Sequence, residues 1–312
     1  MRRVAALLAT ALLAAGLVAC GGGGAEPGAP KGATLILDFQ PNAVHSGIYA
    51  AQANGYFRDE GVDLKIQEPS STADNAKLLV SGRADFAVMD ISDFGIARER
   101  GLDLVPIAAI VQLPLASVIA RDPNEIRTPA DLAGKTVGVT GVPSDDAVLD
   151  TVLRSGGVSP SDVRRVTIGF NAVADLAAGK IDAATAFWNA EGVQLHQMGN
   201  PIREFRVDQF GAPRYPELLL VARSGSESLG SKLTAALSRG YELLGHNPDQ
   251  ALNDLFEEVP GLDRASQRAQ LDALTSARAF SLGDSMSTPR LDRATLERWH
   301  AWATQAGLLP AD

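Results

Sequence analysis

Two groups of side chains in this sequence have the types and spacing to hold a small flat molecule. Phe39 and Asn42 follow directly on the apolar run Thr34 to Leu37, and offer a ring for stacking and an amide that both donates and accepts. His45 and Tyr49 come next, one helical turn apart on one face, and each is as readily buried support as a ligand contact. Further along, Trp188, Asn189 and Glu191 follow a second apolar run. The Glu191 carboxylate can accept two parallel hydrogen bonds from an amidine-like donor pair, and Trp188 can cover a ring. Of the polar residues, Glu191 is the best candidate for ligand recognition. Asp90 and Ser117, after or within buried strands, are weaker candidates. Ser144 and Asp145 are expected to cap a helix whose free amides could hold a phosphate or carboxylate. No catalytic constellation emerges: the 4 histidines lack a GxSxG or HExxH context, and neither GxxxxGK nor GxGxxG follows a strand. No catalytic residue, metal ligand or cofactor is expected.

The N-terminus indicates where such a site would work. Met1, Arg2 and Arg3 precede an apolar run from Val4 to Ala19, the layout of a secretory signal and too short for a comfortable membrane span. Leu17-Val18-Ala19-Cys20 resembles the bacterial lipobox, which implies cleavage before Cys20 and a diacylglycerol on its thiol. Residues 1–19 are therefore expected to be a signal peptide, and residues 20–32 a lipidated cysteine with a glycine-rich flexible tether. The chain has 1 cysteine, so no intramolecular disulfide, CxxC redox pair or thiolate zinc cluster can form. The formal charge of −9 becomes more negative once Arg2 and Arg3 are removed, which argues against nucleic acid and anionic membrane surfaces as partners. Acyl chains on Cys20 would still hold the protein at the extracytoplasmic face of the cell membrane.

The elements that must position these side chains alternate short β-branched runs with longer amphipathic segments, the pattern of α/β units on largely parallel sheets. Strands are expected at Thr34 to Leu37, Val62 to Ile66, Phe86 to Met89, Leu104 to Val111, Ala116 to Ala120, Thr136 to Val139, Arg165 to Ile168, Ile181 to Phe187 and Leu218 to Val221. Helices are expected at Ser46 to Asn54, Ser71 to Ser81, Ser92 to Arg100, Asp145 to Ser155 and Val173 to Ala178. Residues 228–309 read as mostly helical and are expected to pack on the first lobe. Roughly 280 residues remain after the tether, more than one core usually serves, so two lobes are the default.

Five motifs carry a family resemblance. They are Leu37-Asp38-Phe39-Gln40-Pro41-Asn42-Ala43-Val44-His45-Ser46-Gly47-Ile48-Tyr49, Ala53-Asn54-Gly55-Tyr56-Phe57, Gly82-Arg83-Ala84-Asp85-Phe86, Asp131-Leu132-Ala133-Gly134-Lys135 and Phe187-Trp188-Asn189-Ala190-Glu191. Together they resemble the type II periplasmic-binding-protein superfamily, and within it the no-message-in-thiamine group of pyrimidine-precursor-binding proteins. The likeness covers nearly all of residues 33–312, with a generic C-terminal third. Where the group usually has tryptophan, this chain has Phe39.

The resemblance implies two lobes, 33–118 plus 222–312 and 119–221, joined by a two-strand hinge and closing on a ligand in the cleft between them. It implies a role for His45, which the group's motif contains. It also implies partners, an ABC permease and its ATPase, for a monomeric binding protein. The implied ligand is a thiamine pyrimidine precursor whose aminopyrimidine edge meets Glu191, with riboflavin, a sulfonate or nitrate as alternatives. Enzymes of the same group that make the thiamine pyrimidine use a cysteine-rich iron motif, which this chain lacks. The reading is therefore a lipid-anchored solute-binding protein and not an enzyme.

Overall fold

A computed structural model of the 312-residue chain describes residues 30–69, 74–281 and 291–311. The expected signal peptide, Cys20, the tether up to residue 29 and the start of the helix expected from Ser71 lie outside the described residues. No helix among the described residues is long and apolar enough to cross a membrane.

Two five-stranded sheets organise the chain. The first contains β1 (Lys31–Ile36), β2 (Val62–Gln67), β3 (Phe86–Asp90), β4 (Leu104–Val111) and β10 (Leu218–Arg223), in the order β2-β1-β3-β10-β4. The second contains β5 (Ala116–Arg121), β6 (Thr136–Val139), β7 (Arg164–Thr167), β8 (Ala183–Phe187) and β9 (Ile202–Arg206), in the order β7-β6-β8-β5-β9. In each sheet one strand runs against its neighbours: β10 against β3 and β4, and β5 against β8 and β9. These are the two strands the chain enters on crossing from the other sheet. The remaining strands share a direction, so the largely parallel α/β architecture is present with one reversed strand per sheet. Strands β3 and β10 are apolar almost throughout because both faces are covered, whereas the edge strand β2 alternates buried Val62 and Leu64 with exposed Asp63 and Lys65. Strand β1 starts at Lys31, inside the stretch expected as tether, because backbone pairing with β2 recruits Lys31 and Gly32 although their side chains stay exposed.

Helices α1 (Ser46–Ala53), α2 (Tyr56–Asp59), α3 (Asn75–Val80) and α4 (Ile91–Glu99) lie between the strands of the first sheet, and α5 (Pro143–Ser155), α6 (Ala172–Ala177) and α7 (Val193–Gln197) between those of the second. Four more follow β10: α8 (Glu227–His246), α9 (Pro248–Glu258), α10 (Arg264–Ser276) and α11 (Arg293–Gln305). Helices α8 and α9 pack on α1. Helix α10 departs from the expectation that this region serves the first half alone. It touches both the 3-10 turn Ala43–His45 and, in the second half, α7 and the π-type turn Trp188–Gly192. Its Gln267 accepts the Ala43 N–H at 2.7 Å, which anchors that bridge.

The chain crosses between the sheets twice, through residues 112–115 and 207–217. Arg214 Nε donates to the Gln112 carbonyl at 3.3 Å, tying the crossings together. Tyr215 stacks on Trp302 of α11, with centroids 5.5 Å apart and planes at 21°. One buried apolar cluster runs from Ile36 and Met89 through Tyr215 and Val118 to Val137 and Val152, so the two sheets share a core at the crossings.

Helices α1 and α8 approach so closely that a Cβ on Gly240 would lie 2.0 Å from the Gly47 carbonyl oxygen. Gly240→Ala is expected to cost about 1–3 kcal/mol through overpacking, seen as a lower urea midpoint at unchanged m-value. A wild-type midpoint would show that the two helices separate freely.

Candidate ligand-binding cleft

The carboxyl ends of the parallel strands in both sheets converge on one cavity of about 350 Å³. Strand β1 runs out into Asp38 and Phe39, β3 ends at Asp90, β6 leads to Thr140, and β8 ends at Phe187, and each of these residues lines the cavity. Phe39 from the first half meets Phe170 from the second edge-on, with centroids 5.3 Å apart and planes at 65°. Phe170 is 68% exposed, so an apolar ring stands at the rim where a flat ligand could stack.

Of the residues singled out from sequence, Phe39, Asn42, Asp90, Ser117, Ser144, Asp145, Asn189 and Glu191 line this cavity. Several already have their polar groups engaged. The Asn42 amide caps the turn that follows, accepting from Val44 N–H at 2.9 Å and donating to the Gln40 carbonyl at 3.0 Å. Ser117 donates its hydroxyl across strands to the Ala186 carbonyl at 2.8 Å. Asp90 caps α4, accepting from Ser92 N–H at 2.6 Å. Glu191 Oε2 accepts the Phe187 N–H at 3.0 Å, closing the π-type turn.

Three expected contacts lie off the cavity wall. His45 is buried beneath the first turn; its Nδ1 accepts the Asn42 N–H at 3.1 Å, so Nε2 carries the proton and donates to Asp38 at 2.8 Å. It therefore positions Asp38, which does face the cavity. Tyr49 faces a separate groove beside β2, where burial, followed by Glu68 and Glu258, raises its phenol. Trp188 turns into the core: its indole N–H donates to the Pro114 carbonyl at 3.0 Å, and the Arg206 guanidinium sits 3.9 Å from the ring centroid. The π-type turn points Asn189 and Glu191 at the cavity and the indole at the crossing segment.

The expected cap of α5 is also different. The cap position is Val142, with Pro143 opening the helix, and Ser144 and Asp145 lie in its first turn. Asp145 reaches back to accept from the Thr140 hydroxyl at 2.6 Å and from the Thr140 N–H. A carboxyl of the chain itself thus takes the Thr140 donors just before the helix whose free amides could hold an external anion.

The sequence reading missed Asn75, Asp93, Phe170 and Glu217. Glu217 enters β10 from the second crossing, is 1% exposed, and accepts from the backbone N–H groups of Leu115 and, at 3.1 Å, Ala116. It also hydrogen-bonds Asp90. Burial, then the charge of Asp90, pushes the Glu217 carboxyl well up, and burial raises Asp90 as well. Asp93 is pushed up to about 7 by burial, then by Asp90, Asp145 and Asp38. Burial likewise raises Asp145 and Glu191. The available signal was an acidic residue placed at the mouth of an apolar strand or at a helix start next to another acid, as in Pro216-Glu217-Leu218 and Asp90-Ile91-Ser92-Asp93.

Residues 42–251 match the family described as NMT1/THI5 like. The chain is 35% identical to a formylaminopyrimidine-binding protein of Halalkalibacterium halodurans, over 71% of this chain and 69% of that one. It is 27% identical to a 4-amino-5-hydroxymethyl-2-methylpyrimidine phosphate synthase of Legionella pneumophila, over 72% of this chain and 77% of that one. Among solved structures, the alkanesulfonate-binding protein SsuA from Xanthomonas axonopodis pv. citri, bound to MOPS, superposes with a TM-score of 0.69 at 18% identity, covering 91% of this chain and 96% of that one. That likeness shows the periplasmic-binding-protein fold.

The raised carboxyls have a consequence for stability. An aspartate with a value of 3.8 when unfolded and about 7 when folded binds more protons in the native state between those limits, so its contribution to stability falls as pH rises through that window. Asp93→Asn is therefore expected to gain melting temperature relative to wild type as pH is raised from about 4 to about 7 without ligand. A difference that stays flat across the window would show that Asp93 is ionised throughout.

Proposed function

The chain belongs to the NMT1/THI5-like family, and from that premise we propose that it is the extracytoplasmic solute-binding component of an ABC importer, carrying a thiamine pyrimidine precursor in its cleft. Residues 1–19 serve as the export signal and Cys20 as the lipid anchor, with the permease and its ATPase as partners of a monomeric binding protein. The two lobes divide at the two crossings, which keeps β5 whole in the second and β10 whole in the first, a few residues from the expected bounds of 33–118 plus 222–312 and 119–221, and they close on the ligand. The formylaminopyrimidine-binding relative supports the ligand class.

The observation that carries this reading is the cleft wall. Phenylalanine rings from both halves line the cavity together with Glu191 and Asn189, and no lysine or arginine lines it among the described residues. A flat heteroaromatic with an amino edge finds stacking faces and acceptors there. A sulfonate or nitrate finds no cationic partner, which disfavours the anion alternative despite the shared fold. The synthase reading suggested by the Legionella relative is disfavoured because the single cysteine sits in the export signal.

Calorimetric titration of the full chain in detergent micelles tests the assignment, with formylaminopyrimidine, 4-amino-5-hydroxymethyl-2-methylpyrimidine, riboflavin, taurine and nitrate as ligands. One pyrimidine per chain should bind, and Glu191→Gln should weaken it by roughly tenfold to a hundredfold, the loss of one charged hydrogen bond. Binding of taurine or nitrate alone would retain the transport role and sink the pyrimidine assignment.

A further inference from the structure

Resting on the pyrimidine reading, we infer that this cleft prefers an organic cation: an unphosphorylated aminopyrimidine that also carries a protonated side-chain amine. The first observation is charge. Asp38, Asp90, Asp93 and Glu217 line the cavity from the first sheet's side, Asp145 and Glu191 from the second's, and no lysine, arginine or histidine lines it among the described residues. The Arg206 guanidinium of β9 is engaged by Glu204 at 3.1 Å and by the face of Trp188, outside the cavity lining. The carboxyls are also distributed around the wall. No three acidic, histidine or cysteine side chains among the described residues converge closely enough to hold a metal ion, whereas an extended organic cation among these carboxyls offsets the mutual repulsion that, after burial, pushes Asp93 up.

The second observation is independent of charge. Asn75 is 2% exposed and lines the cavity; its amide nitrogen donates to the Leu37 carbonyl at 2.9 Å and the Val88 carbonyl at 3.1 Å, which fixes the amide and leaves Oδ1 buried without a partner. On the opposite side Asn189 is 1% exposed, lines the same cavity and likewise has a buried Oδ1 without a partner. Buried carbonyl oxygens require donors. The hydroxyls of Ser117 and Thr140 already donate within the protein, so the amide oxygens and carboxyls of the wall are acceptors that the N–H groups of a ligand suit. A primary ammonium supplies three, and the exocyclic amine of a pyrimidine two more.

The same geometry rejects a phosphate ester. Asp145, in the first turn of α5, bonds Thr140 at the cavity wall, so a phosphate beside that helix end would meet a carboxyl without a cation to offset it.

The test uses three ligands that differ only at one substituent: 4-amino-5-aminomethyl-2-methylpyrimidine, the corresponding 5-hydroxymethyl alcohol, and the phosphate ester of that alcohol. Each is titrated calorimetrically into the full chain near pH 7, where the aliphatic amine is charged. The amine is expected to bind roughly tenfold or more tightly than the alcohol, and the phosphate ester roughly a hundredfold more weakly than the alcohol. In Asn75→Leu the amine should lose more affinity than the alcohol, because an acceptor that an ammonium can reach has been removed. If the alcohol or the phosphate ester binds as tightly as the amine in wild type, the inference is overturned while the pyrimidine reading stands. If none of the three binds, the inference is overturned, and the pyrimidine reading falls with it only if formylaminopyrimidine fails to bind as well.

Discussion

Two segments carry the chain between the sheets, and one buried carboxyl holds them together. Glu217 lies on the returning segment, accepts from the backbone amides of Leu115 and Ala116 on the outgoing one, and pairs with Asp90 at the end of β3. A carboxyl in so dry a place needs partners for its oxygens, and these three meet that requirement. The cleft floor and both crossings are thereby one hydrogen-bonded unit. Trp188 extends it, donating to Pro114 and Leu115 from the second sheet's side, and Tyr215 braces it against Trp302.

This arrangement joins ligand recognition to the relative placement of the sheets. Asp38, Asp90 and Asp93 face Asp145 across the cavity, and their mutual influence appears in the raised Asp93 carboxyl. Like charges brought together in a low-dielectric cleft oppose closure or take up protons. A positively charged ligand between them reverses the sign of that interaction. Differential contacts in the closed form are what a binding protein needs if its ligand is to drive closure.

Several side chains in the first motif support others without touching the cavity. His45 is neutral and buried, and its single proton orients Asp38. Asn42 spends its amide on the turn that presents Phe39. Gln267, from a helix far along the chain, fixes the same turn through the Ala43 amide. A short motif thus encodes the shape of a corner, and the corner places one aromatic ring and one carboxylate at the cleft.

The sequence alone determined the local elements, since hydrophobic period, glycine stops and apolar strand runs are local signals. Almost every strand expected is found within a residue or two, and Phe39, Asn189 and Glu191 reach the cavity because the carboxyl ends of the parallel strands open on it. What the sequence left open was decided by partners distant in the chain. Trp188 and Tyr49 have the chemistry of ligand contacts, yet their direction depends on Pro114 and on the neighbourhood of β2. Glu217, Asp93 and Asn75 look like ordinary surface acids and amides in sequence, because burial, mutual repulsion and an unpaired carbonyl oxygen exist only once the two sheets meet. Secondary structure follows from near neighbours, whereas the charge and hydrogen-bond balance of a cleft is a sum over residues from both halves, and only the tertiary structure performs that sum.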